Sequence, residues 1–103
     1  MDEADREYIK ELKNQPYLSG YEVPDIDGQP CRIKILGRGE MAFFQVGDRG
    51  LLMEVIAGEG AILKKSIKEW DSGARVTPTE REKIVERMIA VMNQLGWDEV
   101  KVV

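Results

Sequence analysis

Histidine is missing from this 103-residue chain, and cysteine occurs once, at Cys31. The first absence removes the commonest general base, the commonest zinc ligand and every standard nucleophilic triad. The second excludes an intramolecular disulfide and any thiolate-bound zinc or iron–sulfur centre within one chain. No apolar run approaches the roughly 18 residues that a membrane-spanning helix needs. Basic charge is not in excess either. Fifteen Lys and Arg stand against 19 Asp and Glu, for a net charge of -4, with no dense basic stripe of the kind that neutralises phosphates. Nucleic acid is therefore a poor partner, and a basic protein suits the sign better. The opening Met1-Asp2-Glu3-Ala4-Asp5-Arg6 is neither a signal nor a transit peptide. With the single thiol, it leads us to expect a cytoplasmic protein.

What is present describes one domain, residues 1–103, of α+β class. Its 43% hydrophobic content is enough for one core without a metal or disulfide staple. Residues 1–30 read as an N-terminal helix over 3–14, with Ala4, Tyr8, Ile9 and Leu12 near one face. Pro16 should stop it, and a Pro- and Gly-rich loop follows, holding the turn signal Asp27-Gly28 and a short extended piece at Tyr21–Val23. Residues 31–70 read as an antiparallel β-meander of about four strands. Cys31, Ile33 and Ile35 alternate with Arg32 and Lys34; Met41–Val46 is nearly all apolar; Leu51–Ile56 follows; a fourth strand begins at Ala61 and runs towards Lys65. The separating Gly37-Arg38-Gly39, Gly47-Asp48-Arg49-Gly50 and Gly58-Glu59-Gly60 are too short for parallel crossovers.

Residues 77–96 carry the strongest local signal. Thr77 is an N-cap, Pro78 suits the first helical position, Glu80 completes a capping box and Gly96 supplies a left-handed stop. Ile84, Met88, Val91, Met92 and Leu95 line one stripe, widened by Val85 and Ile89, which must cover the meander. Residues 97–103 alternate and suit a final strand.

Candidate chemistry is sparse. Cys31 lies in an alternating strand with no histidine to activate it, and reads as a small buried hydrophobe. The run from Gly37 to Ala42 has the spacing of a dinucleotide fingerprint, but Phe43-Phe44-Gln45-Val46 leaves no room for the helix that the mechanism requires. Asp25-Ile26-Asp27-Gly28 opens like a calcium loop, yet Gln29 and Leu36 stand where ligands are needed. No cofactor and no metal is expected. Glu40, Glu54, Glu59, Glu69 and Asp71 lie on strands or adjoining turns. Three readings stay open for them: plain solvation, an acidic patch for a basic partner, or a carboxylate-based enzyme or ligand-binding cleft. Trp70 and Trp97 suit a core edge or a binding hot spot, the core being the better account.

Ser66-Ile67-Lys68-Glu69-Trp70, a short link, the Thr77-x-x-Glu80 helix ending at Gly96 and the closing extended segment resemble the bacterial polymorphic-toxin immunity protein 74 family. Gly39-Glu40 is similar too, and the likeness covers roughly residues 31–103. It departs from the family where Asp71-Ser72-Gly73 replaces a proline after the tryptophan, and where residues 1–30 are additional. The resemblance implies a non-catalytic inhibitor that binds and neutralises a cognate protein toxin. On that reading the acidic turns and the added N-terminal segment make the contact, while Ser66, Ile67 and Trp70 stay structural. The alternatives are the carboxylate-based domain and a homodimer joined through an exposed edge strand.

Overall fold

The computed structural model describes residues 2–15, 21 and 23–103. The predicted stop at Pro16, and the middle of the extended piece predicted at Tyr21–Val23, lie outside them. The elements are α1 (Glu3–Lys13), β1 (Cys31–Leu36), β2 (Met41–Val46), β3 (Arg49–Ile56), β4 (Ala61–Ile62), α2 (Pro78–Gln94) and β5 (Lys101–Val102). They form an α+β fold around one five-stranded sheet in the order β1-β2-β3-β4-β5. The first four strands are an antiparallel meander, as the short turns require. β5 is parallel to β4, because α2 lies between them and returns the chain to the same end of the sheet. Among the described residues no helix is long and apolar enough to cross a membrane.

The pleat sorts the side chains. Register places Ile33, Phe44 and Leu51 in one row and Ile35, Ala42 and Met53 in the next. These rows form the main core with Ile84, Met88, Val91 and Met92 of α2. The opposite face carries Leu36 and Phe43, which are buried under Ile9 and Leu12 of α1. Burying those two side chains stabilises the docked helix by about 1.5–3 kcal/mol each. The other expected members of its apolar face, Ala4 and Tyr8, are exposed.

Both helices are closed by their own side chains. Asp2 accepts from the Asp5 amide at 2.8 Å at the start of α1. At α2, Thr77 Oγ1 accepts from the Glu80 amide at 3.1 Å and Glu80 Oε1 accepts from the Thr77 amide at 2.9 Å, the capping box read from sequence. At the far end Gly96, at φ +106°, lets its amide reach Asn93 O and the Trp97 amide reach Met92 O. Leu95 is the C-cap and is 40% exposed, so it leaves the stripe predicted for it.

Three further expectations need correction. Gly50 belongs to β3 and not to the turn, which is only Gly47-Asp48. A Cβ at Gly50 would meet Phe43 at 2.9 Å and Ile9 at 3.0 Å, so glycine here lets α1 lie on the sheet. The fourth strand spans two residues and gives way to a short 3-10 helix, Lys64–Ser66. The Ser66 hydroxyl accepts from the Glu54 amide at 2.8 Å and donates to Leu63 O at 2.6 Å, replacing ladder bonds that a longer β4 would have made. Accordingly, the meander predicted to run to residue 70 ends at Ile62, and Ser66–Trp70 lies outside it. Ile67 and Trp70 are both buried, at a spacing of three that no regular strand produces.

Candidate functional site

Trp70 sits at the joint between the sheet and α2. It is 2% exposed, and the Arg49 guanidinium stacks over its ring at 4.3 Å. Arg49 Nη1 also donates to Glu80 Oε2 at 2.8 Å, and Trp70 Nε1 points at Glu80 Oε1 at 3.5 Å. Burial alone would raise the Glu80 pKa. The bonds from Thr77, Arg49 and Trp70 outweigh it and hold the carboxyl at about 2. The cavity beside it, about 40 Å³ between Ile26, Arg49, Trp70 and Ile84, has room for little more than a water. Glu80 is therefore a structural clamp. The sequence revealed its capping role but not its links to Arg49 and Trp70, which come from elements 31 and 10 residues away.

The five acids singled out as a binding patch separate into groups. Glu40, Glu54 and Glu59 are exposed and gather at one end of the sheet. The Ala57 amide donates to Gly39 O at 2.8 Å and the Val55 amide to Glu40 O at 3.1 Å, which ties the β1–β2 turn to the end of β3. Glu40 Oε2 accepts from the Arg38 amide at 2.7 Å, which holds this turn in shape. Glu59 lies on the 3-10 helix Ala57–Glu59 that follows β3.

Asp71 is remote from this end, beside the start of β3. Its amide donates to Gly50 O at 2.8 Å, its Oδ1 accepts from the Gly50 amide at 3.2 Å, and its Oδ2 pairs with Lys13 of α1. It fastens α1 and the segment after Trp70 to β3, and leaves no free carboxylate for a partner. Glu69 is half-buried in a backbone bridge with Arg75. It lines a groove of about 500 Å³ that also takes in Asp5, Leu52, Lys68, Arg75 and Arg81.

Two neighbours complete the acidic end. Trp97 lays its indole on Gly60, where a Cβ would stand 2.6 Å from the ring, and donates Nε1–H to Ala57 O at 2.9 Å. The exposed Asp98 and Glu99 follow directly and lead into β5, whose Lys101 amide donates to Gly60 O at 2.9 Å, so they lie at the same end of the sheet as the turn that carries Glu59. Glu40, Glu54, Glu59, Asp98 and Glu99 thus lie towards this end with Arg38, Lys101 and the 42%-exposed Ile56, while Lys65 and Lys68 line a groove with Glu54. The sequence reading missed Asp98 and Glu99 because only the packing of Trp97 on Gly60 brings them to this end. Their one local signal is the acidic pair that follows the helix stop.

Cys31 is half-buried and its Sγ lies 3.8 Å from Gln29 O; burial pushes its thiol pKa up. That environment weakens it as a nucleophile. Among the described residues no group of three or more acids or cysteines is arranged to hold a metal ion.

Compared with models of known protein families, with curated proteins and with solved structures, the chain matches none.

Proposed function

We propose that this chain is a non-catalytic binding protein, an immunity-type inhibitor that seats the acidic end of its sheet on a basic protein toxin made by the same cell. The observation that carries the reading is the convergence of Glu40, Glu54 and Glu59 at one end of the sheet, joined there by Asp98 and Glu99. Exposed carboxylates around an apolar Ile56 suit a cleft built to hold phosphates: the acids complement its cations and the isoleucine supplies a contact from which water is excluded. The same field speeds encounter at low salt. The resemblance of Ser66–Trp70 and the capped α2 to the immunity 74 family supports the same reading. Such an inhibitor works in the cytoplasm of the producing cell, where the toxin would otherwise act.

The test is to look beside this gene for one encoding a large secreted protein with a variable C-terminal domain, and to co-express that domain with the chain. The intact chain should restore growth and bind the purified domain. A double variant, Glu40→Lys with Glu59→Lys, should slow association by at least about tenfold at low salt. Binding that ignores both salt and this reversal would remove the electrostatic mechanism. Failure to protect against any neighbouring toxin would remove the immunity reading.

A further inference from the structure

Three separate stretches of chain bring acids to this end of the sheet: the β1–β2 turn, the 3-10 helix Ala57–Glu59 with Gly60, and the segment from Trp97 into β5. All three meet at Ala57. Its amide donates to Gly39 O at 2.8 Å, and its carbonyl accepts from Trp97 Nε1 at 2.9 Å and from the Gly60 amide at 3.3 Å. The packing is close on both sides. A Cβ at Gly39 would stand 2.9 Å from Ala57 Cβ, and one at Gly60 would stand 2.6 Å from the Trp97 ring. Trp97 is itself anchored, half-buried against the main core, and its amide reaches Met92 O at 3.1 Å past the Gly96 stop.

We propose that Trp97 is the positioning residue of the acidic end: its indole N–H holds the three stretches together as one preformed surface. This rests on the binding reading above. The strand ladder here is short, since β4 and β5 have two residues each. The carboxylates gathered on these stretches repel one another and push the end apart. An uncharged tie at the centre opposes that push without cancelling any charge that a basic partner would meet. A surface ordered in advance loses less conformational freedom on binding. The acids then set how fast the partner arrives, and Trp97 sets how much of the free chain holds the competent shape.

The test is Trp97→Phe, which keeps a ring on Gly60 and removes the bond to Ala57 O. In the free variant, hydrogen exchange at the Ala57, Gly60 and Lys101 amides should quicken by at least about tenfold, while β2 and the middle of α2 keep the parent's rates. Gly39→Ala, which presses on Ala57 from the other side at φ +94°, should loosen the same amides. Against a toxin domain that the parent binds, Trp97→Phe should raise Kd by at least about tenfold. The salt dependence of its association rate should stay the parent's, because no charge has changed. Ile84→Val, which weakens the core under α2, should leave Kd unchanged. Unaltered exchange at the three amides overturns the proposal, as does equal loosening of β2 and α2. An unaltered Kd with loosened amides overturns it too. A parent chain that binds no toxin removes the immunity reading instead, and the exchange result still decides whether Trp97 holds this end.

Discussion

Removing the Glu80 carboxylate tests whether the joint between sheet and helix is held by one side chain. Glu80 closes the α2 capping box at 2.9 Å, accepts from Arg49 at 2.8 Å and lies against the Trp70 indole. A fall in pKa from 4.5 to about 2 corresponds at face value to about 3.4 kcal/mol. The Glu80 side chain is 28% exposed and that of Arg49 41%, so solvent screens the pair. We discount the contribution to about 1–2 kcal/mol. The folded pKa is depressed, so this stability is fully present above the ordinary carboxylate value near 4.5 and is lost as pH falls towards about 2. Glu80→Gln keeps an acceptor for the Thr77 amide and loses the charge, at a cost of about 1 kcal/mol. Glu80→Ala loses the box as well and should cost about 2 kcal/mol. Urea unfolding followed by circular dichroism at several pH values measures both. The glutamine variant should also show a flatter loss of stability between 4.5 and about 2. If both variants match the parent within about 0.5 kcal/mol, or if acid sensitivity is the same without Glu80, the clamp does not exist.

Two further substitutions test close approaches. Gly60→Ala drives a Cβ to 2.6 Å from the Trp97 ring at φ +62° and should cost about 2 kcal/mol or more in urea unfolding, whereas Gly58→Ala meets nothing within 4 Å and should be close to neutral. Gly50→Ala meets Phe43 and Ile9 and should cost about 1–3 kcal/mol, with amide protection lost first in α1; equal loss across the whole sheet would show that α1 does not dock separately.

The parts legible in advance were those in which a few adjacent residues decide the outcome. Thr77, Pro78, Glu80 and Gly96 each act within four residues, so the bounds of α2 followed directly. The turn at Asp27-Gly28 did too, with both residues at positive φ between Ile26 and Gln29. Alternation in β1 and the apolar run of β2 placed the meander. Errors arose where a distant group replaced the expected partner. The Ser66 hydroxyl truncated β4, and α1 drew Gly50 into β3.

The class, the antiparallel meander, both helices and the lack of histidine chemistry follow from the order of residues, because composition, periodicity and caps are local properties. The separation of the carboxylates is a product of the fold. Asp71 is consumed in fastening α1 to β3 and Glu69 lies in a mixed groove, while Glu40, Glu54 and Glu59 share one end of the sheet. The reason is physical: a carboxylate becomes a clamp or stays free according to which backbone amides and cations the fold brings within about 3 Å, and those partners lie tens of residues away in the chain.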